Sequence, residues 1–223
     1  MTPLILLVSS ALANGNAISF DGLANNNPDQ VVLGTLNAGS SFTAEVWVQF
    51  DEINTFNTLF EAVNPMTSRN AFYLGYVRNQ WQIEANDDSV IEGDSCADGV
   101  ALCTPYSVSV DTPYHVAVVV DGADFELYVN GVLEDSSTMT APIFGSLAVW
   151  GMGADSDNGS SFTSDRMDGM QDELRLWSRA FTAAEVQCTQ NYALTGAEPD
   201  LYAAYPMDEA PGFPSTADVT GNG

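Results

Sequence analysis

The strongest candidate for chemistry is a short run of oxygen-bearing side chains in the second half of the chain. Asp155, Asp157 and Asn158 lie within four residues of one another, in the stretch 153–162. Calcium is a hard cation that takes about six to eight oxygen ligands from carboxylates, amides and backbone carbonyls. The run is not an EF-hand loop, because Arg166 stands where the bidentate glutamate would be. It predicts either a Ca²⁺ site or a turn in which short polar side chains bond their own backbone.

Aromatic side chains are a second kind of candidate. Sugar-binding proteins pack a ring against the apolar face of a pyranose and bind its hydroxyl groups with amides and carboxylates. Aromatic residues in sheet proteins more often belong to the core, and we assign Trp47 and Trp177 to packing because their strands alternate clearly. The rings available for a platform are Tyr73, Tyr76, Trp81, Tyr106 and Trp150. The residues that we predict to bind a ligand are Tyr76, Trp81, Tyr106 and Trp150.

The sequence contains no recognisable catalytic arrangement. Glycoside hydrolases place two carboxylates in one cleft, and the acidic run QDELRL does not have a suitable spacing. His115 is the only histidine and lies in the apolar stretch YHVAVVVD, where a structural role is more common than a place in a catalytic triad. Phosphate-binding glycine loops and nucleophile elbows are also absent from the sequence. We therefore predict that the protein is not an enzyme.

The charge of the chain excludes several classes of partner. It has 30 acidic residues and five basic ones, all arginine, which gives a formal net charge of -25 and a pI of about 4.1. Nucleic-acid binding requires cationic groups that neutralise phosphates, so nucleic acid is excluded. The same charge disfavours an anionic membrane surface. Most of the carboxylates are expected to be solvated, and the lack of lysine favours a secreted protein in a saline or calcium-containing medium.

The first residues favour export. MTPLILLVSSALA has a short apolar region and ends in Ala-Leu-Ala, the small-x-small form of a cleavage site. We predict a signal peptide over residues 1–13, with a buried first strand as the alternative because no basic residue lies near Met1. This segment is too short to span a bilayer, and no other stretch is long and apolar enough to insert. We expect a secreted or cell-surface protein.

The cysteines agree with an oxidising compartment. Cys96 and Cys103 bracket a short loop and are predicted to form a local disulfide bond, whereas Cys188 lies apart on a predicted helix and is expected to be free. One histidine and three scattered cysteines provide none of the ligand spacings of a zinc site.

Hydrophobic periodicity predicts mainly strands. Residues 114–121 and 125–129 alternate with period two, and Asn130-Gly131 then predicts a type I′ hairpin turn because both residues tolerate positive φ angles. The only convincing helix begins at Thr182, which has a capping-box spacing with Glu185.

Five phrases, in order, resemble the laminin-G-like and pentraxin-like branch of the concanavalin A-like jelly rolls. AISFDG is similar to the opening strand of that family, FTAEVWVQF to the next core strand, and HVAVVVDG with LYVNGVL to the central hairpin. GMQDELRLWSRAFTAAEV is similar to the last core strand and short helix, and LYAAYPMDE to the closing strand. The resemblance covers residues 17–209 and departs from the family where Pro113, Tyr114 and His115 replace a Trp-His-His run.

The resemblance implies an all-β fold, a two-sheet antiparallel jelly-roll β-sandwich of the concanavalin A-like type with one short helix. We expect this domain to occupy residues 14–210, and residues 211–223 to be a linker or the start of a further unit.

The resemblance also implies site residues. The loop that carries calcium ligands in pentraxins matches Asp155, Asp157 and Asn158, and calcium there holds the bound ligand. The phrases FDG and DE contribute Asp21 and Asp172 from the first and last core strands, which lie close in this fold class. These two carboxylates are expected to share a structural cation or to bind loop amides.

Taken with the charge and the leader, the resemblance implies a secreted, non-catalytic recognition or adhesion module that binds carbohydrate or a surface glycoconjugate with the help of Ca²⁺. Two alternatives stay open. One is a polysaccharide hydrolase or lyase with a divergent site, which needs a cleft lined by paired carboxylates. The other is a structural spacer of a modular surface protein, in a larger chain with other domains.

Overall fold

The computed structural model describes residues 17–22, 30–64, 69–85, 101–139, 148–156, 165–208 and 216–221. Over these ranges the chain forms β-strands and one short helix. The strands are β1 Ile18–Asp21, β2 Val31–Thr35, β3 Ser41–Glu52, β4 Phe56–Asn64, β5 Arg69–Val77, β6 Gln80–Ala85, β7 Ala101–Pro105, β8 Pro113–Asp121, β9 Asp124–Val129, β10 Val132–Thr138, β11 Val149–Met152, β12 Asp168–Trp177 and β13 Leu201–Tyr205, and the helix is α1 Ala183–Thr189.

The strands form two antiparallel sheets that enclose the main core. The first sheet has the order β1-β12-β3-β8-β9-β10, with β13 also paired to β12, and the second sheet has the order β2-β11-β4-β5-β6-β7. Strands that are distant in sequence are neighbours in both sheets, as in the pairs β12–β3 and β11–β4. This arrangement confirms the predicted jelly-roll sandwich with one helix.

Aromatic rings from both sheets fill the space between them. Phe42 of the first sheet meets Phe72 of the second at 5.4 Å between ring centroids, and Trp150 lies 6.3 Å from Phe42. Phe60 stacks on Trp150 at 6.2 Å. Burial of such large rings supplies much of the free energy that holds two sheets together.

The second sheet is polar on the face turned away from this core. Along β6, Trp81, Ile83 and Ala85 belong to the core, so Gln82 and Glu84 project from the opposite face. The same alternation continues on the neighbouring strand β5, where Tyr73 and Val77 lie on this outer face and Phe72, Leu74 and Tyr76 belong to the core.

The outer face of the first sheet is covered by α1. Val186 of the helix packs with Trp177 and Phe181 in a second hydrophobic cluster. Thr182 and Glu185 form the predicted capping box, in which the Thr182 N–H donates to Oε2 of Glu185 at 2.8 Å and the Thr182 side chain accepts from the Glu185 N–H. Within the described ranges, no helix has the length and apolar character that are needed to cross a membrane.

The predicted hairpin turn lies between β9 and β10. Asn130 and Gly131 have φ angles of 52° and 75°, as a type I′ turn requires. Oδ1 of Asn130 also accepts a hydrogen bond from the backbone N–H of His115 at 2.9 Å, which ties the turn to β8.

Candidate ligand-binding cleft

A cleft lined by both polar and apolar side chains lies on the outer face of the second sheet, and we call it the polar cleft. Strands β4, β5 and β6 contribute most of it, and the segments around Asp155 and Asp165 contribute the rest. Its empty volume is about 270 Å³, part of which is open solvent. The lining residues are Phe56, Asn70, Tyr73, Val77, Gln82, Glu84, Asp155 and Asp165.

Strand register brings the central residues of the cleft together. Tyr73 pairs with Glu84 and Gly75 pairs with Gln82 across β5 and β6. The side chains of Tyr73, Gln82 and Glu84 therefore project to the same face of the sheet. Gly75 has no side chain to fill this surface, and the Tyr73 ring occupies the space. A Cβ atom at Gly75 would lie only 2.2 Å from the Tyr73 hydroxyl oxygen. The position of Tyr73 therefore depends on a glycine two residues away.

Amide groups hold the carboxylates of the cleft. Nε2 of Gln82 donates to Oε1 of Glu84, and Nδ2 of Asn70 donates to Oδ1 of Asp155 at 3.3 Å. Gln82, Glu84 and Asp155 are all buried, with at most 8% of their surface exposed. Glu61 pairs with Tyr73 and projects to the same face, where its Oε1 atom accepts the backbone N–H of Ser156 at 2.7 Å. The arrangement concentrates hydrogen-bond acceptors on one surface.

Tyr73 provides a hydroxyl group in this acidic setting. Burial raises the pKa of the Tyr73 phenol well above its ordinary value, and the charges of Asp155 and Glu84 act in the same direction, against the hydrogen bond with Thr58. The phenol therefore stays protonated at all physiological pH values. Thr58 in turn donates its hydroxyl to the backbone carbonyl of Asp165 at 2.8 Å, which ties β4 to the rim of the cleft.

The structure describes only one of the three residues of the predicted calcium loop. Asp155 lies in the polar cleft, whereas Asp157 and Asn158 fall outside the described residues. In the part of the chain that the structure describes, no group of three or more histidine, cysteine, aspartate or glutamate side chains is arranged to hold a metal ion. The calcium site therefore stays a prediction.

Asp21 and Asp172 do not form the pair that we expected. Strands β1 and β12 are neighbours as predicted, but Asp21 pairs with Asp168. Asp172 lies four residues further along β12, a distance of about 13 Å along a strand. It is also buried, whereas Asp21 is exposed. A cation shared by these two carboxylates is inconsistent with this register, so that prediction is wrong.

Asp172 has an unusual environment of its own. Burial, followed by the charges of Glu173 and Asp208, raises the pKa of its carboxyl group to about 7. Its Oδ1 atom is buried and accepts no hydrogen bond from any residue that the structure describes. The chain is irregular here, because the pairing of β12 with β3 shifts between Asp172 and Arg175 and Glu173 has a φ angle of 56°.

Three of the four predicted ligand-binding aromatics belong to the core. Trp81 and Trp150 are fully buried and Tyr76 is 1% exposed. Trp150 donates its indole N–H to the carbonyl of Leu36 at 3.0 Å, and the Tyr76 hydroxyl donates to the carbonyl of Tyr106 at 2.7 Å. These rings lie between the sheets and present no face to solvent, which corrects the prediction for Tyr76, Trp81 and Trp150.

Tyr106 is the fourth predicted aromatic and is only partly buried. Its ring packs against Trp81 and Tyr114 at centroid distances of 6.3 and 6.2 Å. It does not line the polar cleft.

His115 belongs to a buried network on the first sheet. Its Nε2 atom lies 3.2 Å from Oε2 of Glu45, and Nη1 of Arg175 lies 3.7 Å from Oε1 of the same carboxylate. The indole N–H of Trp177 and the hydroxyl of Thr189 also donate to Glu45, at 2.9 and 3.0 Å. Thr189 is the last residue of α1, so this buried network joins the helix to β3, β8 and β12 and is structural, as we predicted for His115.

The polar cleft contains residues that we did not predict. Asn70, Gln82, Glu84 and Asp165 were not among our candidates, although β6 reads QWQIEA with strict alternation. That alternation already separates Trp81 from Gln82 and Glu84, and it would have favoured the two polar residues over the indole as ligand contacts.

The cysteine predictions are tested in part. Cys188 is a free and exposed thiol, as expected. Cys96 lies outside the described residues, so its bond to Cys103 stays a prediction.

The chain belongs to a known family. The Laminin_G_3 model, described as the concanavalin A-like lectin/glucanases superfamily, matches residues 24–187. This confirms the resemblance that the sequence phrases suggested. No curated protein matches the chain.

Solved structures show a similar fold. A protein from Bacteroides ovatus described as a "putative carbohydrate binding protein" matches with a TM-score of 0.65 and 18% identity over 93% of this chain, which spans 56% of that protein. A heptameric pentraxin from Limulus polyphemus matches with a TM-score of 0.57 and 18% identity over 76% of this chain and 78% of its own. The Ruminococcus gnavus sialidase module CBM40, solved with α2,3-sialyllactose, matches with a TM-score of 0.55 and 13% identity over 79% of this chain and 100% of its own.

Proposed function

We propose that the protein is a non-catalytic carbohydrate-binding module and that the polar cleft is its ligand site. The observation that carries the proposal is a set of buried oxygen and amide groups beside an apolar wall. Phe56 and Val77 pair across β4 and β5 and provide that wall, whereas Asn70, Gln82 and Glu84 provide polar contacts. A sugar ring has an apolar face and a polar edge, so it matches such a surface.

The size of the cleft favours a short ligand. Its empty volume of about 270 Å³ includes open solvent, so the enclosed part of the cleft is small. We infer that it takes no more than one sugar residue, such as the end of a longer glycan. The carbohydrate-binding modules with a similar fold support this class of ligand.

Calcium and secretion are part of the proposal. Asp155 lies in the cleft, and together with Asp157 and Asn158 it would bind Ca²⁺ at the edge of the ligand site. The ion would offset the repulsion among the acidic groups and offer open positions to sugar hydroxyls. Export through residues 1–13 and a disulfide bond between Cys96 and Cys103 would suit an extracellular protein.

A glycan array followed by calorimetry tests the ligand site. Binding should be lost in Glu84→Gln and Gln82→Leu, which alter the cleft, and should persist in Glu52→Gln, which removes an exposed carboxylate from β3 of the other sheet. Circular dichroism would verify that each variant folds. Binding that survives both cleft variants would place the ligand site elsewhere, and a failure to bind any glycan would favour a structural spacer.

Titration of Ca²⁺ into the chelator-treated protein tests the metal. We expect saturable binding near one or two equivalents and a higher melting temperature, with weaker binding in the Asp155→Ala, Asp157→Ala double variant. Unchanged calcium affinity in that variant would rule out this loop as the site.

A hydrolase or lyase is the second candidate, because Glu84, Asp155 and Asp165 line one cleft. Hydrolysis requires one carboxyl group to donate a proton, whereas amides hold Glu84 and Asp155 as acceptors. Incubation of bound glycans with excess protein should release no reducing ends. Product formation that Glu84→Gln or Asp155→Asn abolishes would establish the enzyme instead.

A further inference from the structure

We infer that Asp172 and Arg175 form a proton-controlled switch on the outer face of the first sheet. While the Asp172 carboxyl group is protonated, Arg175 holds residues 190–193, which follow α1 and which we call the helix-end turn. Loss of the proton draws Arg175 to Asp172 and releases this turn. The inference goes beyond the proposed function, because the polar cleft lies on the second sheet.

The pairing of β12 with β3 makes Asp172 and Arg175 neighbours on one face. Asp172 lies opposite Trp47. Arg175 lies opposite Glu45, which is two residues from Trp47 and therefore on the same face. Glu173, with a φ angle of 56°, lies in the irregular step of β12 that takes up the extra residue. Neighbours on one face of a strand are about 7 Å apart, which is within the reach of an arginine side chain.

Asp172 is a buried acceptor that lacks a donor. It is 2% exposed, and its Oδ1 atom accepts no hydrogen bond from any residue that the structure describes. A carboxylate that is buried without its full set of donors carries a desolvation cost, which the protonated form avoids. Burial and the charges of Glu173 and Asp208 accordingly raise the pKa of this group to about 7. Protonation near neutral pH therefore decides whether Asp172 needs a cationic partner.

Arg175 is the cation whose charge acts on Asp172. The elements around Asp172 contribute further carboxylates from β12 and from the residues after β13, and an uncharged ring from β3. The helix-end turn carries no charged residue. The groups concerned are Glu173, Asp208, Trp47 and, in the turn, Tyr192, with His115 on the far side of Trp47 and bound to Glu45.

Arg175 divides its donors between a carboxylate and two backbone carbonyls. Its Nε and Nη2 atoms donate to Oε2 of Glu173 at 3.2 and 2.8 Å. Nη1 donates to the carbonyl of Thr189 at 2.6 Å, and Nη2 donates to the carbonyl of Tyr192 at 2.8 Å. The last two bonds fasten the end of α1 and the helix-end turn to β12.

Ionisation of Asp172 changes which acceptors Arg175 prefers. Hydrogen bonds to charged acceptors are about twice as strong as those to neutral ones, so exchange of the two carbonyls for the Asp172 carboxylate is favourable. Arg175 can keep its contact with Glu173, which is partly exposed. Glu45 loses little, because Arg175 is 3.7 Å away and other donors stay in place. Those donors are His115, Trp177 and Thr189.

The helix-end turn can open without disturbing the sheet. The indole N–H of Trp47 donates to the carbonyl of Gln190 at 3.1 Å, and the Tyr192 N–H donates to the carbonyl of Thr189 at 2.9 Å. Residues 191–193 are all exposed. A segment that is held by a small number of hydrogen bonds and buries little apolar surface opens locally at low cost, so the loss of the Arg175 bond should be sufficient.

Amide hydrogen exchange followed by NMR tests the switch. Exchange would be measured in EDTA between about pH 5 and about pH 9 and corrected for the intrinsic effect of pH on each amide. We expect the protection of the Tyr192 amide to fall at least about tenfold as the pH rises, with a midpoint near pH 7. The amides of β3 and β8 should stay protected throughout.

Three variants connect the transition to Asp172. Asp172→Asn cannot ionise and should keep the turn protected at every pH. Asp168→Asn is the matched control, because Asp168 lies on the same strand and has a raised pKa but is paired with Asp21, and it should leave the transition unchanged. Asp208→Asn removes an exposed charge that raises the pKa of Asp172, so its midpoint should move to lower pH. This third variant keeps the test informative if Asp172→Asn folds poorly.

Several outcomes would overturn the inference. One is protection of the turn that does not change with pH in the unmodified protein. Another is a transition that persists in Asp172→Asn, which would assign it to a different group, such as His115. Equal loss of protection in β3 and β8 would show global rather than local opening and would also overturn it. None of these results depends on a glycan, so they leave the proposed function untouched.

Discussion

His115 and Glu45 lie side by side within the first sheet, with Nε2 of the imidazole 3.2 Å from Oε2 of the carboxylate. Both side chains are buried on adjacent strands, and Arg175 approaches the same carboxylate from a third strand. A buried carboxylate with several donors stabilises a fold only while all the partners are present. We therefore expect substitution of Glu45 to reduce the stability of the protein more than substitution of any other charged residue of the first sheet.

Replacement of Glu45 by alanine should destabilise the protein strongly. It would leave the guanidinium group of Arg175 buried without its full set of partners, which costs about 3–5 kcal/mol. Urea unfolding followed by tryptophan fluorescence would measure the loss. Glu52→Ala on the same strand is exposed and should change stability by less than about 0.5 kcal/mol. A similar small effect at both positions would contradict the role of Glu45.

Glu45 should also make the fold sensitive to acid. Burial alone would raise the pKa of its carboxyl group, but His115 and then Arg175 outweigh burial and hold the pKa below its ordinary value. A lowered pKa in the folded state means that the stabilisation is present above the unfolded-state pKa and is lost as the pH falls through the folded value. Unfolding curves below about pH 4.5 should therefore show a loss of stability that is smaller in Glu45→Gln.

Asp172 should have the opposite pH dependence. Its folded-state pKa is raised to about 7, so its contribution is fully favourable below the unfolded-state value of 3.8 and is lost as the pH rises to 7. Asp172→Asn should increase stability at pH 8 by up to about 4 kcal/mol, from a shift of about three pKa units, and should leave stability at pH 3.5 nearly unchanged. Measurements with and without EDTA are the control. A variant that is less stable at pH 8 only when calcium is present would identify Asp172 as a metal ligand instead.

Trp81→Phe should lower stability without changing glycan affinity. The indole is fully buried between the sheets, and its N–H donates no hydrogen bond within the described structure, so the change removes volume and no hydrogen bond. Thermal unfolding should show a loss of about 1–3 kcal/mol, and calorimetry should show unchanged binding. Tyr106→Ala is the comparison variant. Tyr106 packs against Trp81 but is partly exposed, so the same two measurements on this variant report on the one predicted aromatic that a ligand could reach. Weaker binding in Trp81→Phe would return the indole to the ligand site.

Gly75→Ala should damage the polar cleft more than the fold. The new methyl group would lie 2.2 Å from the Tyr73 hydroxyl oxygen, so the Tyr73 ring must move away from Glu84. We expect at least a tenfold loss of glycan affinity with a modest decrease in melting temperature. Gly75→Ala combined with Tyr73→Ala should relieve the clash, and a double variant that is less stable than the sum of the single changes would contradict this account.

Local features of the fold could be predicted from the sequence. The hairpin turn at Asn130-Gly131 and the cap at Thr182 depend on residues that are close in the chain, so their chemistry is visible in the sequence. The phrases of the strands were also sufficient to identify the two-sheet fold and its family.

Register and long-range assembly could not be predicted in the same way. Asp21 faces Asp168 rather than Asp172, and a shift by an even number of residues along a strand leaves a pattern with period two unchanged. The cleft joins Glu84 to Asp155, residues that are about 70 positions apart in sequence. The assignment of Trp81 as a ligand contact is a different kind of error. The alternation along β6 was sufficient to place Trp81 on the opposite face from Gln82, and our prediction did not use it.

Six of the eight residues that line the polar cleft come from the continuous segment 56–84, which forms three consecutive strands of one sheet. The outward side chains of this segment can change together, because the inward ones, among them Phe60 and Phe72, keep the core intact. Exchange of this segment between members of the family offers a route to new sugar specificities on one scaffold. Selection could have used the same route, altering what the module recognises through substitutions confined to about thirty neighbouring codons.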